Sequence, residues 1–268
     1  MKKLLTASLA VLGIMALSAP IHAQTTSVGV QFYASGATWG ALNGPGSLGN
    51  VTAGALPQNN WNSYQVGTQT NPGSMIDSTG NTSAVTFQTN SNWGSYPNGA
   101  TVGAWESWGS PNPPNYYLLL GCANGIYATV DPDTVTLTLG GLNSTDTYDL
   151  YVYLESYAAG TGVDSVSLGS ATYYYLNNSG PLSLVQTTAT SSADAIDANY
   201  AVFSGISGAA LESGTVTVAN VSGFDGHVGV SGFQVVDTGA VPEPSTTWLV
   251  ALGLFGLVAF RTRSRRFV

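Results

Sequence analysis

Thr134-Val-Thr-Leu-Thr-Leu-Gly-Gly-Leu-Asn-Ser-Thr-Asp-Thr-Tyr-Asp-Leu-Tyr-Val-Tyr-Leu-Glu155 reads as strand, turn and strand. Val135, Leu137 and Leu139 alternate with Thr134, Thr136 and Thr138, the period-two pattern of a half-buried strand. Gly140-Gly141 breaks the run. Tyr148, Leu150, Val152 and Leu154 then share one face of a second strand, leaving Asp149, Tyr151, Tyr153 and Glu155 on a partly solvated one. Working outward, the same signals predict strands at 27–33, 84–88, 116–120, 164–168, 171–176, 183–188, 200–204, 214–219 and 228–236. Helical periodicity is almost missing, so the fold class is all-β. With no crossover helices in view, the expected architecture is an antiparallel β-sandwich. A Gly/Asn/Pro-rich region at 35–83 is too long for a plain connection and is expected to carry short strands or to pack over one end of the domain.

Charge narrows the function. All six basic residues lie near the ends, at Lys2, Lys3, Arg261, Arg263, Arg265 and Arg266. The body, 24–240, has no lysine or arginine but carries thirteen of the fourteen carboxylates. Binding to nucleic acid is thereby excluded, because phosphates need Lys or Arg to neutralise them. Cohesion has to come from apolar burial and backbone hydrogen bonds. Without cationic partners the carboxylates are expected to repel one another, so, with no calcium bound, acid should stabilise the body between about pH 7 and about pH 4. The wealth of Val, Leu, Tyr and Trp argues against disorder. Cys122 is the only cysteine, so no intramolecular disulfide forms; a small buried apolar side chain is expected there, with an intermolecular disulfide as the alternative.

The two ends carry addresses. Lys2-Lys3, the apolar run 4–17 and Ile21-His22-Ala23 before Gln24 have the layout of a signal peptide, residues 1–23, cleaved between Ala23 and Gln24. At the other end stand Pro242-Glu243-Pro244, the apolar run Trp248 to Phe260, and Arg261, Arg263, Arg265 and Arg266. As a helix, those apolar residues reach about 20 Å, short of the roughly 20 residues of a stable span. A short, marginal transmembrane helix with cytoplasmic arginines is expected.

This tripartite order resembles the PEP-CTERM sorting domain of Gram-negative bacteria, over residues 241–268. The resemblance implies an exosortase, a membrane protease, as partner. It also implies a transient inner-membrane stage and then a place at the cell surface, on the outer membrane or outside the cell, beside exopolysaccharide. The body resembles exported jelly-roll domains of the galactose-binding-like and carbohydrate-binding kind. That likeness rests on Val28-Gly-Val-Gln-Phe32, Ala53-Gly54 to Trp61-Asn62, Thr147 to Tyr153, Tyr200-Ala-Val-Phe203 and Gly232-Phe-Gln-Val-Val236. These are packing and turn residues, so they speak for a fold first.

Catalytic and cofactor motifs are weak. Gly44-Pro-Gly-Ser-Leu-Gly49 fits a dinucleotide pattern literally, but no βαβ unit surrounds it. His227 is the body's sole histidine, and Asp225-Gly226-His227 reads as a turn before the last strand. Glu106 and Glu155 are the best carboxylate pair for a glycoside hydrolase, which needs two across a cleft. No catalytic residue is assigned, and the chain is expected not to be an enzyme. Asp131 and Asp133, and the segment 194–197, offer oxygen ligands to a structural Ca²⁺, against a plain turn-forming role; no other cofactor is expected. Trp61, Trp93, Trp105 and Trp108 lie in loops, with Glu106 between the last two. They read as a saccharide-stacking platform or as a satellite core. The expected function is a surface or matrix protein of structural or adhesive type. A carbohydrate-binding module for exopolysaccharide is the alternative, and a glycoside hydrolase comes third.

Overall fold

The computed structural model of the protein describes residues 26–34, 48, 50–66, 74–90, 115, 118–119, 123–124, 134–154, 162–177, 183–223 and 228–239. They form a β-sandwich. One sheet contains β1 (Ser27–Ala34), β2 (Asn62–Val66), β6 (Ala123–Asn124), β8 (Thr147–Leu154), β12 (Tyr200–Ser207) and β14 (Gly229–Asp237). Its order is β12-β8-β14-β1-β2, with β6 pairing the start of β14. The second sheet contains β5 (Thr86–Thr89), β7 (Thr134–Gly140), β9 (Gly162–Leu168), β10 (Ala171–Asn177), β11 (Ile196–Asp197) and β13 (Val216–Ser222), in the order β11-β10-β9-β13-β7-β5. A small hairpin, β3 (Met75–Ile76) and β4 (Thr82–Ser83), stands apart.

The alternation read from sequence sets the burial. Val135, Leu137 and Leu139 on β7 point into the core, as do Val166 and Leu168 on β9 and Val216 and Val218 on β13. Opposite them lie Val28, Val30 and Phe32 of β1, Leu150 and Val152 of β8, and Phe233 and Val235 of β14. Phe32, Phe87, Tyr64 and Phe233 meet edge to face, with centroids 5.0–5.9 Å apart between Tyr64–Phe87, Phe87–Phe233, Phe32–Phe87 and Phe32–Tyr64, an arrangement that the ring quadrupoles favour. Beyond β12, α1 (Gly208–Ser213) is capped by the Ser207 hydroxyl and buries Leu211.

Three expectations change. Pairing is antiparallel except for β1 with β2 and β10 with β11, which are parallel. A parallel neighbour needs a long crossover, and the stretch between β1 and β2 has the length for it. Leu118 and Leu119, expected in a strand, are helical. The predicted strand at 183–188 makes isolated bridges only: Gln186 pairs with Tyr200 in parallel. Among the described residues no helix is long and apolar enough to cross a membrane, and the run Trp248 to Phe260 lies outside them.

The decisive feature is that the first sheet is covered on both faces along β1 and β14. Along β14 every residue from Gly229 to Val236 is buried, whereas a sheet open to water on one side would alternate. The cover is the crossover itself, led by Leu48, Ala53 and Trp61, together with Leu118.

Candidate functional site

Two registers build the outer face of the first sheet. Gln31, Gly232, Tyr153, Tyr200 and Gln186 stand opposite one another in one row. Gly29, Gln234, Tyr151 and Val202 form the next. Glycines and glutamines sit at the β1 and β14 side, and three tyrosines with Val202 at the β8 and β12 side.

The glycine side admits the cover. A Cβ on Gly29 would lie 2.5 Å from Gln58 Nε2 and 2.7 Å from the Trp61 ring, so the indole settles where only hydrogen leaves room. Trp61 is 4% exposed, and its Nε1 donates to the Gln58 carbonyl at 3.1 Å. Its ring meets Tyr153 edge-on at 6.0 Å. Of the two readings offered for Trp61, the satellite core is the one the packing realises; an indole enclosed in this way presents no face to a sugar. Correcting the platform assignment at this position has a physical basis: the loop carrying Trp61 covers a sheet instead of facing water.

Neutral side chains secure the cover. The Ala53–Gln58 bridge closes a short hairpin, with Gly54 at φ +101°. Gln58 Oε1 accepts from Ser27 Oγ and from Gln234 Nε2, each at 2.7 Å. Gln234 Nε2 also donates to the Leu56 carbonyl at 2.8 Å. The Tyr153 hydroxyl donates to Gln234 Oε1 at 2.9 Å and accepts from the Ala55 N–H at 2.8 Å. Gln31 Oε1 receives the Leu48 N–H at 2.9 Å. Burial pushes the Tyr153 hydroxyl far above the usual tyrosine range, so it stays a donor. Buried amides satisfied in this manner replace the ion pairs that a body without lysine or arginine cannot form.

Where the cover stops, at Ala55, an open groove of about 560 Å³ begins. Tyr151, Tyr200 and Tyr173 line it together with Gln186, Val202 and Ser204. Tyr151 and Tyr200 are diagonal neighbours on β8 and β12 and stack, with centroids 6.5 Å apart and planes inclined by 24°. Tyr200 also leans on the anchored Tyr153 at 6.1 Å, and Tyr173 packs on Phe203 at 5.3 Å. Burial, followed by the charge of Asp149 and the neighbouring Tyr200, raises the Tyr151 hydroxyl; burial raises that of Tyr200. Both are neutral donors at physiological pH. None of these groove residues was singled out as a site from the sequence. The available signal was Tyr151 and Tyr153 on a strand face otherwise read as solvated.

The carboxylates are occupied differently from expectation. Asp149 accepts the Gly205 N–H at 2.8 Å and so pins a bulge in β12. Glu212 takes the Leu142 N–H at 2.8 Å, and Asp237 the Gly239 N–H at 2.7 Å. Asp77 accepts from Thr79 Oγ1 at 2.6 Å and from the N–H groups of Thr79 and Asn81. Slight burial pushes Asp77 upward, but these donors outweigh it and hold the carboxyl below its ordinary 3.8. This is the opposite direction to the shift that mutual repulsion predicts.

Among the described residues no three His, Cys, Asp or Glu side chains converge on a metal-sized space. Trp93, Trp105, Glu106 and Trp108 lie outside the described residues, as do Asp131, Asp133, Cys122, Glu155 and His227. So do Ala23, Gln24 and the tail with Pro242, Glu243, Pro244 and its arginines.

For the tail, comparison with known families supplies what geometry does not. Residues 240–266 match the PEP-CTERM protein-sorting motif. The PEP-CTERM motif supports an exported protein that an exosortase sorts and that passes by way of the membrane to the cell surface. No curated protein and no solved structure matches the chain.

Proposed function

We propose that this protein is a non-enzymatic surface or matrix component of structural or adhesive type, delivered by its PEP-CTERM tail. The sorting motif at 240–266 carries the reading, because it directs the attached body to the outside of the cell. The sandwich suits that setting. Its buried polar groups are amides and hydroxyls together with the carboxylate of Asp164, which accepts from Asn220 Nδ2 at 3.0 Å; Asp149, Glu212 and Asp237 hold the chain's own backbone N–H groups. Carboxylates occupied in this way act as fasteners and are poorly disposed for acid–base chemistry. With no lysine or arginine in the body, its cohesion does not depend on Lys or Arg ion pairs and so depends little on ionic strength.

Delivery is tested by intact-mass measurement on the surface-accessible protein, made in a host with and without an exosortase. With the protease, the mass should lack residues 1–23 and everything after a cut near 242–247. Surface protein that keeps Arg261 to Val268 in the presence of the protease overturns the sorting half of the proposal. The structural half is tested by deleting the gene and measuring cell cohesion. Unchanged cohesion, with the protein demonstrably at the surface in the parent strain, overturns it.

A further inference from the structure

We infer that the Tyr151–Tyr200 groove is a binding site for neutral polysaccharide. Two observations point to a saccharide. The Tyr151 and Tyr200 rings wall the groove, with Tyr153 beside Tyr200 in the same row of the sheet, and aromatic rings are the groups on which sugar C–H groups pack. Around them stand hydroxyls and an amide, the Gln186 and Ser204 side chains both exposed. These groups donate and accept in the mixed pattern that sugar hydroxyls require. A groove for an alkyl chain would be walled by aliphatic residues, and here only Ala55 and Val202 are aliphatic.

The restriction to neutral polymers follows from charge. No cationic side chain lines the groove, and the body has no lysine or arginine that could be brought to it. Asp149 lies close enough to Tyr151 to act on its hydroxyl. A uronate or phosphate on the polymer would meet a negative field with nothing to offset it. Binding here should therefore discriminate against anionic polysaccharides by repulsion as well as favour neutral ones by contact. The site is also built in advance. The hydrogen bonds from Ala55 to Tyr153, Tyr153 to Gln234 and Gln234 to Gln58 fix the rim at Ala55 and hold Tyr153 beside Tyr200, which reduces the ordering cost of binding.

The test uses the full chain in mild detergent, titrated calorimetrically with dextran and galactomannan as neutral probes and alginate as the anionic one. At least one neutral polymer should bind, and alginate should not. Tyr151→Ala should weaken neutral binding about tenfold, whereas Tyr151→Phe, which keeps the ring, should stay within about threefold. Gln186→Ala, at an exposed position, should weaken binding by about threefold with an unaltered melting temperature. Absence of binding to either neutral polymer overturns the inference. So does equal binding of alginate, or neutral binding that is unchanged in both Tyr151→Ala and Gln186→Ala. Sorting and cohesion are measured on cells with no added polymer, so failure there and failure here are separable.

Discussion

Trp61→Ala is expected to destabilise the fold by about 3–5 kcal/mol, because the indole fills the space over Gly29 and supports Tyr153. Urea denaturation followed by fluorescence measures this; a loss below about 1 kcal/mol would place Trp61 at the surface instead. Gly29→Ala probes the same contact from below. Its methyl would have to displace the Trp61 ring and the Gln58 amide at once, a cost of about 1–3 kcal/mol typical of overpacking. Tyr153→Phe removes no volume of consequence but leaves the Ala55 N–H and Gln234 Oε1 without their partner. Unsatisfied buried polar atoms of this kind cost about 1–3 kcal/mol. That variant should also loosen Tyr200, so neutral polysaccharide binding should weaken along with stability.

At the scale of elements, the Asp77 turn links β3 to β4 and supplies a pH response. Its carboxyl titrates below its ordinary value in the folded state, so it contributes stability above the unfolded value and loses it as the pH falls through the folded one. The loss should therefore set in below about pH 4. Melting temperature measured from pH 7 to pH 3 should fall at the acid end, and Asp77→Asn should flatten that limb. A melting temperature that climbs throughout would restore the repulsion expected from composition. The elements also show how far periodicity reaches. β7 was legible because each of its faces meets one environment along its whole length, and β8 was legible as far as Tyr151, beyond which the cover also buries Tyr153. The segment 183–188 carries a strand-like composition, yet it borders Tyr200 through a single bridge, since strand propensity measures fit to a neighbour as much as any backbone preference. Leu118 and Leu119 are apolar for covering the first sheet, not for extending it.

For the whole molecule, raising NaCl from about 0.02 to about 0.5 M should leave the melting temperature level or slightly higher, because screening acts only on like charges in the body. A marked fall would reveal a stabilising ion interaction that this composition does not provide. The amino-acid sequence by itself determined the strand periodicity, the lack of cations between residues 24 and 240, and the sorting tail, because each is a property of neighbouring residues or of a simple count. Only the tertiary structure decided that the first sheet is buried on two faces along β14, that β2 enters parallel to β1, and that Trp61 is core. It alone brought Tyr151, Tyr200, Tyr173 and Gln186 to one groove, from β8, β12, β10 and the segment after β10. Those outcomes depend on strand register, and register is set by contacts between residues far apart in the chain: a shift of one residue would turn Tyr151 and Tyr153 inward and leave no groove.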